Sequence, residues 1–138
     1  MKLKLSIMFT IDQINEAHAK VKSGADFPNY IQDLIKLGVT GFETFVADGH
    51  IVYFGADGIK IQSAANHTAL KLADESDKDQ FQEDLKDHQL GKTNYQTFCL
   101  DCAWSGVEKW VVDMAKMTCT YYDKVGNEML EEAIPTPK

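Results

Sequence analysis

Arginine is absent from this 138-residue chain; all 14 of its cations are lysines. That absence excludes an arginine finger, a bidentate guanidinium clamp on phosphate or carboxylate, and an arginine reading guanine. Positive charge is scarce altogether. The 21 acids leave a formal charge of −7, the wrong sign for a nucleic-acid partner held through its phosphates. No apolar run approaches the roughly 18–20 residues that span a membrane. Met1 to Phe9 is only faintly like a signal peptide, because its apolar part is short and Asp12 and Glu16 follow without a small-residue cleavage site. Cysteine is limited to three, an odd number that suits a reducing compartment better than a disulfide framework, so a cytoplasmic protein is expected. No G-x-S-x-G, P-loop, H-E-x-x-H or Rossmann glycine pattern occurs, and no cofactor is implied.

What is present is one domain's worth of chain, 1–138, with 44% hydrophobic residues. Thr10 is a plausible N-cap for a stripe of Ile11, Ile14, His18 and Val21 that stops at Gly24. Asp26 can cap a second helix, with Pro28 in its first turn, Tyr30, Ile31, Leu34 and Ile35 inward, and Gly38 closing it. Strand-like runs follow at Val39 to Val46, His50 to Phe54 and Ile59 to Gln62, punctuated by Asp48-Gly49 and Asp57-Gly58. After a polar stretch the pattern resumes. Ser76 can cap a helix with Phe81 and Leu85 inward, ending near Gly91. Asn94 can cap another, with Tyr95, Phe98, Cys99, Cys102 and Ala103 as its apolar face and Gly106 at its end. Strand-like runs return at Val107 to Met114, Met117 to Tyr122 and Glu128 to Ile134.

A shift of 68 residues superposes Asp33 on Asp101, Gly38 on Gly106, Val39 on Val107, Ala47 on Ala115, Tyr53 on Tyr121 and Gly58 on Gly126. Similar pairs lie between them, such as Asp26 with Asn94, Phe27 with Tyr95, Tyr30 with Phe98 and Phe42 with Trp110. The first helices match at a shift of 67, Gly24 with Gly91. The expected fold class is therefore α+β: an internally duplicated α-α-β-β-β unit (repeats of about 10–62 and 76–134), antiparallel in its strands, with helices on one sheet face and a pseudo-twofold between the halves.

Several residues invite chemistry. Cys99 and Cys102 form a C-x-x-C, which reads as a redox pair, as half of a zinc site completed by Cys119 and a histidine, or as core. A redox pair belongs at a helix N-terminus, and Cys102 falls near a C-terminal end. The shift of 68 also puts Cys99, Cys102 and Cys119 on Ile31, Leu34 and Ile51, so packing is the leading reading. Among the histidines, His18 lies on an apolar stripe, His67 in the polar stretch, and His88 in a helix's last turn, where a cation is favoured. His50, with Glu43 or Asp48, is the one grouping that resembles a general acid–base set. The aromatic pairs Tyr53-Phe54 and Tyr121-Tyr122 end two strands, so alternation turns one of each pair away from the helices, into a binding groove, a seam between the halves or a dimer interface. Glu43 and Asp113 fall on the same alternate face. Asp74 to His88 carries seven acids and two lysines, −5 of the total charge, and reads first as a helix's solvated face and second as a partner surface.

Together, Phe27-Pro28, Leu37-Gly38-Val39, Val46-Ala47-Asp48-Gly49, His88-Gln89, Thr97-Phe98-Cys99, Gly106-Val107-Glu108-Lys109-Trp110-Val111-Val112-Asp113, Met117-Thr118-Cys119-Thr120-Tyr121-Tyr122-Asp123 and Ile134-Pro135 make a recognisable set. It resembles the YbcV/YdfO-like family of small bacterial and prophage-borne proteins, often labelled phage envelope protein. The resemblance runs from about Phe9 to Pro135. It implies a compact α+β domain and carries over no activity, substrate or catalytic residue. Chains of that family tend to begin near Met8, which implies that Met1 to Ile7 is a loose extension.

The leading functional expectation is a non-enzymatic module that binds a small molecule or a protein at the helix-free aromatic face, with Glu43, His50, Tyr53, Phe54, Asp113, Tyr121 and Tyr122 as site candidates. Neutral or cationic ligands suit that face better than phosphates. No nucleic-acid or membrane partner is expected, and a homodimer stays open. The alternatives are a small enzyme using His50 with Glu43 or Asp48, and a zinc protein using Cys99, Cys102 and Cys119.

Overall fold

The computed structural model describes residues 9–22 and 26–136. The expected stop at Gly24 and the expected loose extension at Met1 to Ile7 lie outside the described residues. Helix α1 (Ile11–His18) opens on a full capping box. The Gln13 N–H donates to the Thr10 hydroxyl at 3.2 Å, and the Thr10 N–H donates to the Gln13 side-chain oxygen at 2.9 Å. Helix α2 (Phe27–Leu37) ends on Gly38 at φ 101°. Strands β1 (Val39–Phe45), β2 (Ile51–Gly55) and β3 (Lys60–Gln62) follow. Then come α3 (Lys78–Gln89), α4 (Tyr95–Trp104), β4 (Val107–Asp113), β5 (Thr118–Asp123) and β6 (Glu128–Ala133). Each strand lies within one residue of its expected bounds.

Three local expectations need correction. Asp77, not Ser76, caps α3; its carboxylate accepts the Gln80 N–H at 3.1 Å, a geometry set one residue further on. Asp26 precedes α2 without a capping bond, and its carboxylate instead accepts the Lys22 N–H at 2.8 Å. Ile35 is 38% exposed, because Tyr30, Ile31 and Leu34 already fill the inward stripe.

All six strands join one antiparallel sheet in the order β3-β2-β1-β4-β5-β6. Registers repeat at the shift of 68. Phe42–Tyr53, Glu43–Val52 and Thr44–Ile51 between β1 and β2 correspond to Trp110–Tyr121, Val111–Thr120 and Val112–Cys119 between β4 and β5. Both ladders carry the same irregularity, between Val39 and Gly41 and between Val107 and Lys109. Where β1 meets β4, Glu43 pairs with Val111, the residue 68 positions on, and is flanked by Phe42–Val112 and Thr44–Trp110. A half-turn about that central pair maps the register onto itself. The left-handed positions recur likewise: Gly38 with Gly106, Gly49 with Met117, and Gly58 with Gly126. The correspondence fails at β6, where an irregularity between Tyr121 and Tyr122 shifts the pairing by one residue.

The helices cover one sheet face. Phe81 packs on Tyr121 with ring centroids 4.8 Å apart, Phe98 on Trp110 at 5.7 Å, and Ile31 and Leu34 are fully buried with Phe42, Tyr53 and Val112. Each such ring or aliphatic group contributes about 1.5–3 kcal/mol of transfer free energy. The polar stretch between the halves meets its backbone needs by strapping across neighbouring elements. The N–H groups of Asn66 and His67 donate to the Asp48 carbonyl at 2.8 and 3.1 Å, Leu70 to Ala47 at 2.6 Å, and Ala73 to Ala103 at 2.8 Å.

Gly106 and Gly126 both sit at positive φ, 81° and 89°, but only Gly106 is crowded, with a Cβ falling 2.9 Å from the Glu75 carbonyl oxygen and the Ser76 Cα. Gly126→Ala should cost the left-handed strain of about 1–2 kcal/mol. Gly106→Ala should cost clearly more, because backbone must move; urea denaturation midpoints compare the two, and equal losses would show that the α3 approach yields freely.

Candidate functional site

Strand alternation sorts the candidates into two layers. Tyr53 and Tyr121 point at the helices and are 3% and 6% exposed, so neither reaches the open face. Phe54, Tyr122, Glu43 and Asp113 are half-buried on the helix-free side. Asp113 is occupied locally, with its carboxylate accepting the Ala115 and Lys116 N–H groups at 2.9 and 3.0 Å to hold the β4–β5 turn.

The open face is organised around Lys109, a residue that sequence reasoning did not single out. Its ammonium lies 3.3 Å from the Glu43 carboxylate, 5.7 Å from the centre of the Phe45 ring and 5.9 Å from that of Tyr122. On the other flank, His50 stacks on Phe45 with centroids 4.5 Å apart and planes 6° off parallel. The His50 Nδ1 is 2.6 Å from the Asp48 carboxylate, which also accepts the His50 backbone N–H at 3.0 Å. A continuous row therefore crosses the sheet: Asp48, His50, Phe45, Lys109, Tyr122. The backbone bond from His50, then its side-chain bond, hold the Asp48 carboxyl below the ordinary aspartate range. An ionised acceptor at that distance requires a proton on Nδ1, which leaves Nε2 as the acceptor of the neutral ring. The turn carrying this pair is tightly seated. A Cβ on Gly49 would come within 2.9 Å of the His67 ring, whose Nδ1 lies 2.9 Å from the Thr68 carbonyl oxygen.

Beside Lys109 lies a shallow cavity of about 570 Å³, bordered by Glu43, Lys109, Val111, Tyr122, Lys124 and Val125. That volume falls within the range of small-molecule sites. Phe45 and Lys109 share the outward parity of Glu43 and Val111, which is all that alternation along the strands could have given. The shift of 68 hid the cluster, because it sets Lys109 against Gly41 and Phe45 against Asp113.

The three cysteines resolve into core. Cys99, Cys102 and Cys119 are free and buried, and burial pushes all three thiols up, Cys119 to about 12. Among the described residues no group of three or more His, Cys, Asp or Glu converges on a metal position, so the cysteines do not meet a histidine as the zinc alternative required. Burial lowers His88, which stacks on Phe98 at 4.5 Å, and this overrides the cation preference expected of a helix's last turn. His18, expected on the apolar stripe, is instead exposed; its ring stands edge-on to Tyr30 and partial desolvation lowers its pKa.

A family model described as "Protein of unknown function (DUF1398)" matches residues 15–133, and the chain belongs to that family. No curated protein matches the chain. Of the described residues, no helix is long and apolar enough to cross a membrane.

Two phenols lie beside sulfur: Tyr95 is electrostatically coupled to Cys99, and the buried Tyr121 to Cys119. Cys119→Val, close in volume, should therefore cost about 1 kcal/mol, the loss of a polar neighbour for the Tyr121 hydroxyl. Adding Tyr121→Phe should recover part of that loss, as a double-mutant cycle in urea reads directly. Strict additivity of the two changes would show that Cys119 serves only as bulk.

Proposed function

We propose that this member of a family of unknown function is a ligand-binding module whose site is the helix-free sheet face around Lys109. The ligand is a small neutral or cationic organic molecule with a flat apolar part. The observation that carries the reading is the Lys109 ammonium held over the Phe45 and Tyr122 rings at the edge of an open cavity, with its charge already matched by Glu43. The Tyr122 ring with Val111 and Val125 offers apolar contact in the cavity. Glu43, Glu108 and Asp123 outnumber Lys109 and Lys124 around the rim, which disfavours phosphates. The free buried thiols fit the expected cytoplasmic setting, and the repeated registers support an internal duplication.

A second reading, acid–base chemistry at His50, draws on the 2.6 Å contact with Asp48, which supplies an oriented imidazole. Glu43 is the weaker partner for it, being engaged by Lys109.

A thermal-shift screen of a metabolite library, run on wild type and Tyr122→Ala with light scattering alongside, tests both. A ligand at a hundredfold excess over Kd should stabilise the wild type by about 2.7 kcal/mol and the variant far less. Hits that shift both proteins equally, or no hit at all, remove the reading. Turnover of a hit that disappears in His50→Gln while binding persists would favour the enzyme.

A further inference from the structure

Helix α4 is apolar on both sides. Phe98, Cys99, Cys102 and Ala103 face the core, while Leu100 and Trp104, one turn apart on the outer side, are 40% and 73% exposed. At a shift of 68 the corresponding positions on α2 are Gln32 and Lys36, both polar. An outer tryptophan is therefore a departure confined to one of two like helices, and it lies in the helix layer, away from the open sheet face. Isolated apolar residues at a surface are ordinary, but a tryptophan and a leucine aligned along one helix form the kind of anchor that protein partners bury.

The surroundings of this pair are predominantly acidic, although Lys124 pairs with Asp74 at 3.0 Å. Asp101 shares the outer side of α4 and lies within electrostatic reach of Asp84 and Asp87 on α3; burial and those two carboxylates push its pKa up. Among the described residues Asp101 pairs with no cation, and Asp87 has only the exposed Lys92 at 3.7 Å. At the Trp104 end, the Ala73 N–H bonds the Ala103 carbonyl and the Asp77 N–H bonds the Ser105 carbonyl, which brings Asp74 to Asp77 alongside. From Asp74 to Asp101 there are eight carboxylates against three lysines.

We propose that the outer face of α4, with the neighbouring carboxylates of α3, is a docking surface for a basic amphipathic helix of a protein partner. Leu100 and Trp104 receive its apolar stripe, and Asp84, Asp87 and Asp101 pair with its lysines or arginines. This is helix-in-groove recognition with charge complementarity setting the choice of partner. A second copy is the weaker occupant, because a twofold contact would set acidic rim against acidic rim.

The test uses the full chain and a fluorescein-labelled Leu/Lys amphipathic peptide of about 18 residues, long enough to form a helix, with a Leu/Glu peptide as its counterpart. Anisotropy should show that the Leu/Lys peptide binds, that Kd rises with salt, and that the Leu/Glu peptide does not bind. Trp104→Ala should weaken binding at least about tenfold. Asp84→Asn with Asp87→Asn and Asp101→Asn should weaken it and flatten the salt dependence. Leu90→Ala, an exposed leucine at the far end of α3, should leave Kd unchanged. The proposal is overturned if Trp104→Ala binds as wild type, if Leu90→Ala loses as much, or if both peptides bind alike. It is also overturned if light scattering finds a dimer that Trp104→Ala dissolves, which would make the second copy the occupant.

Discussion

The ladder between β1 and β4 is the constraint on which the rest of the structure depends. Three strands and two helices make a unit too small to be more than marginal alone. Each half, taken singly, would expose an extra sheet edge along β1 or β4. Pairing those edges leaves only β3 and β6 outside, the first three residues long and the second carrying Glu128, Glu131 and Glu132, both poor templates for further strands. The same ladder sets Lys109 beside Glu43 and Phe45. No local segment could bring those three together, because two come from the first half and one from the second.

The ladder is symmetric in register, yet the chemistry on it is one-sided. A half-turn about Glu43–Val111 would carry Lys109 onto Gly41, Phe45 onto Asp113 and Tyr122 onto Phe54. The mirror cluster cannot be built as the backbone stands. A Cβ at Gly41 would lie 2.8 Å from the Val112 carbonyl oxygen, closer than real contacts allow. Close approach of the two central strands at one end thus excludes a side chain there, and the other end keeps the lysine, the rings and the cavity.

The elements were legible because periodicity and turn chemistry agreed. Asp57 and Gly58 at positive φ between β2 and β3 are an example of turn residues that fix a hairpin. Alternation correctly divided Tyr53 from Phe54 and Tyr121 from Tyr122, but it could not say which member faced the helices, since that depends on strand order and on where the four helices dock. Lys109 was missed for a related reason. A charge is unremarkable in a strand until its cross-strand neighbours are known, and those neighbours are fixed by a pairing between residues 66 positions apart. The capping shift from Ser76 to Asp77 has a simpler origin, as adjacent residues both suited to capping are separated only by backbone geometry.

The cysteines show how the two halves solve one packing problem differently. In the first half the buried Tyr30 and Tyr53 phenols are coupled to each other, and the neighbouring positions Ile31 and Ile51 are purely aliphatic. In the second half the position of Tyr30 is taken by Phe98, which removes that partner from Tyr121, while Tyr95 replaces Phe27 and adds a hydroxyl of its own. Both phenols have sulfur beside them, Cys119 for Tyr121 and Cys99 for Tyr95, at the positions where the first half has isoleucine. A thiol fills nearly the space of a small aliphatic group and still accepts a weak hydrogen bond. Two of the three cysteines thus lie beside tyrosine hydroxyls. Cys102, opposite Leu34, is the one that serves as bulk alone, and neither a metal nor a disulfide is needed to account for any of them.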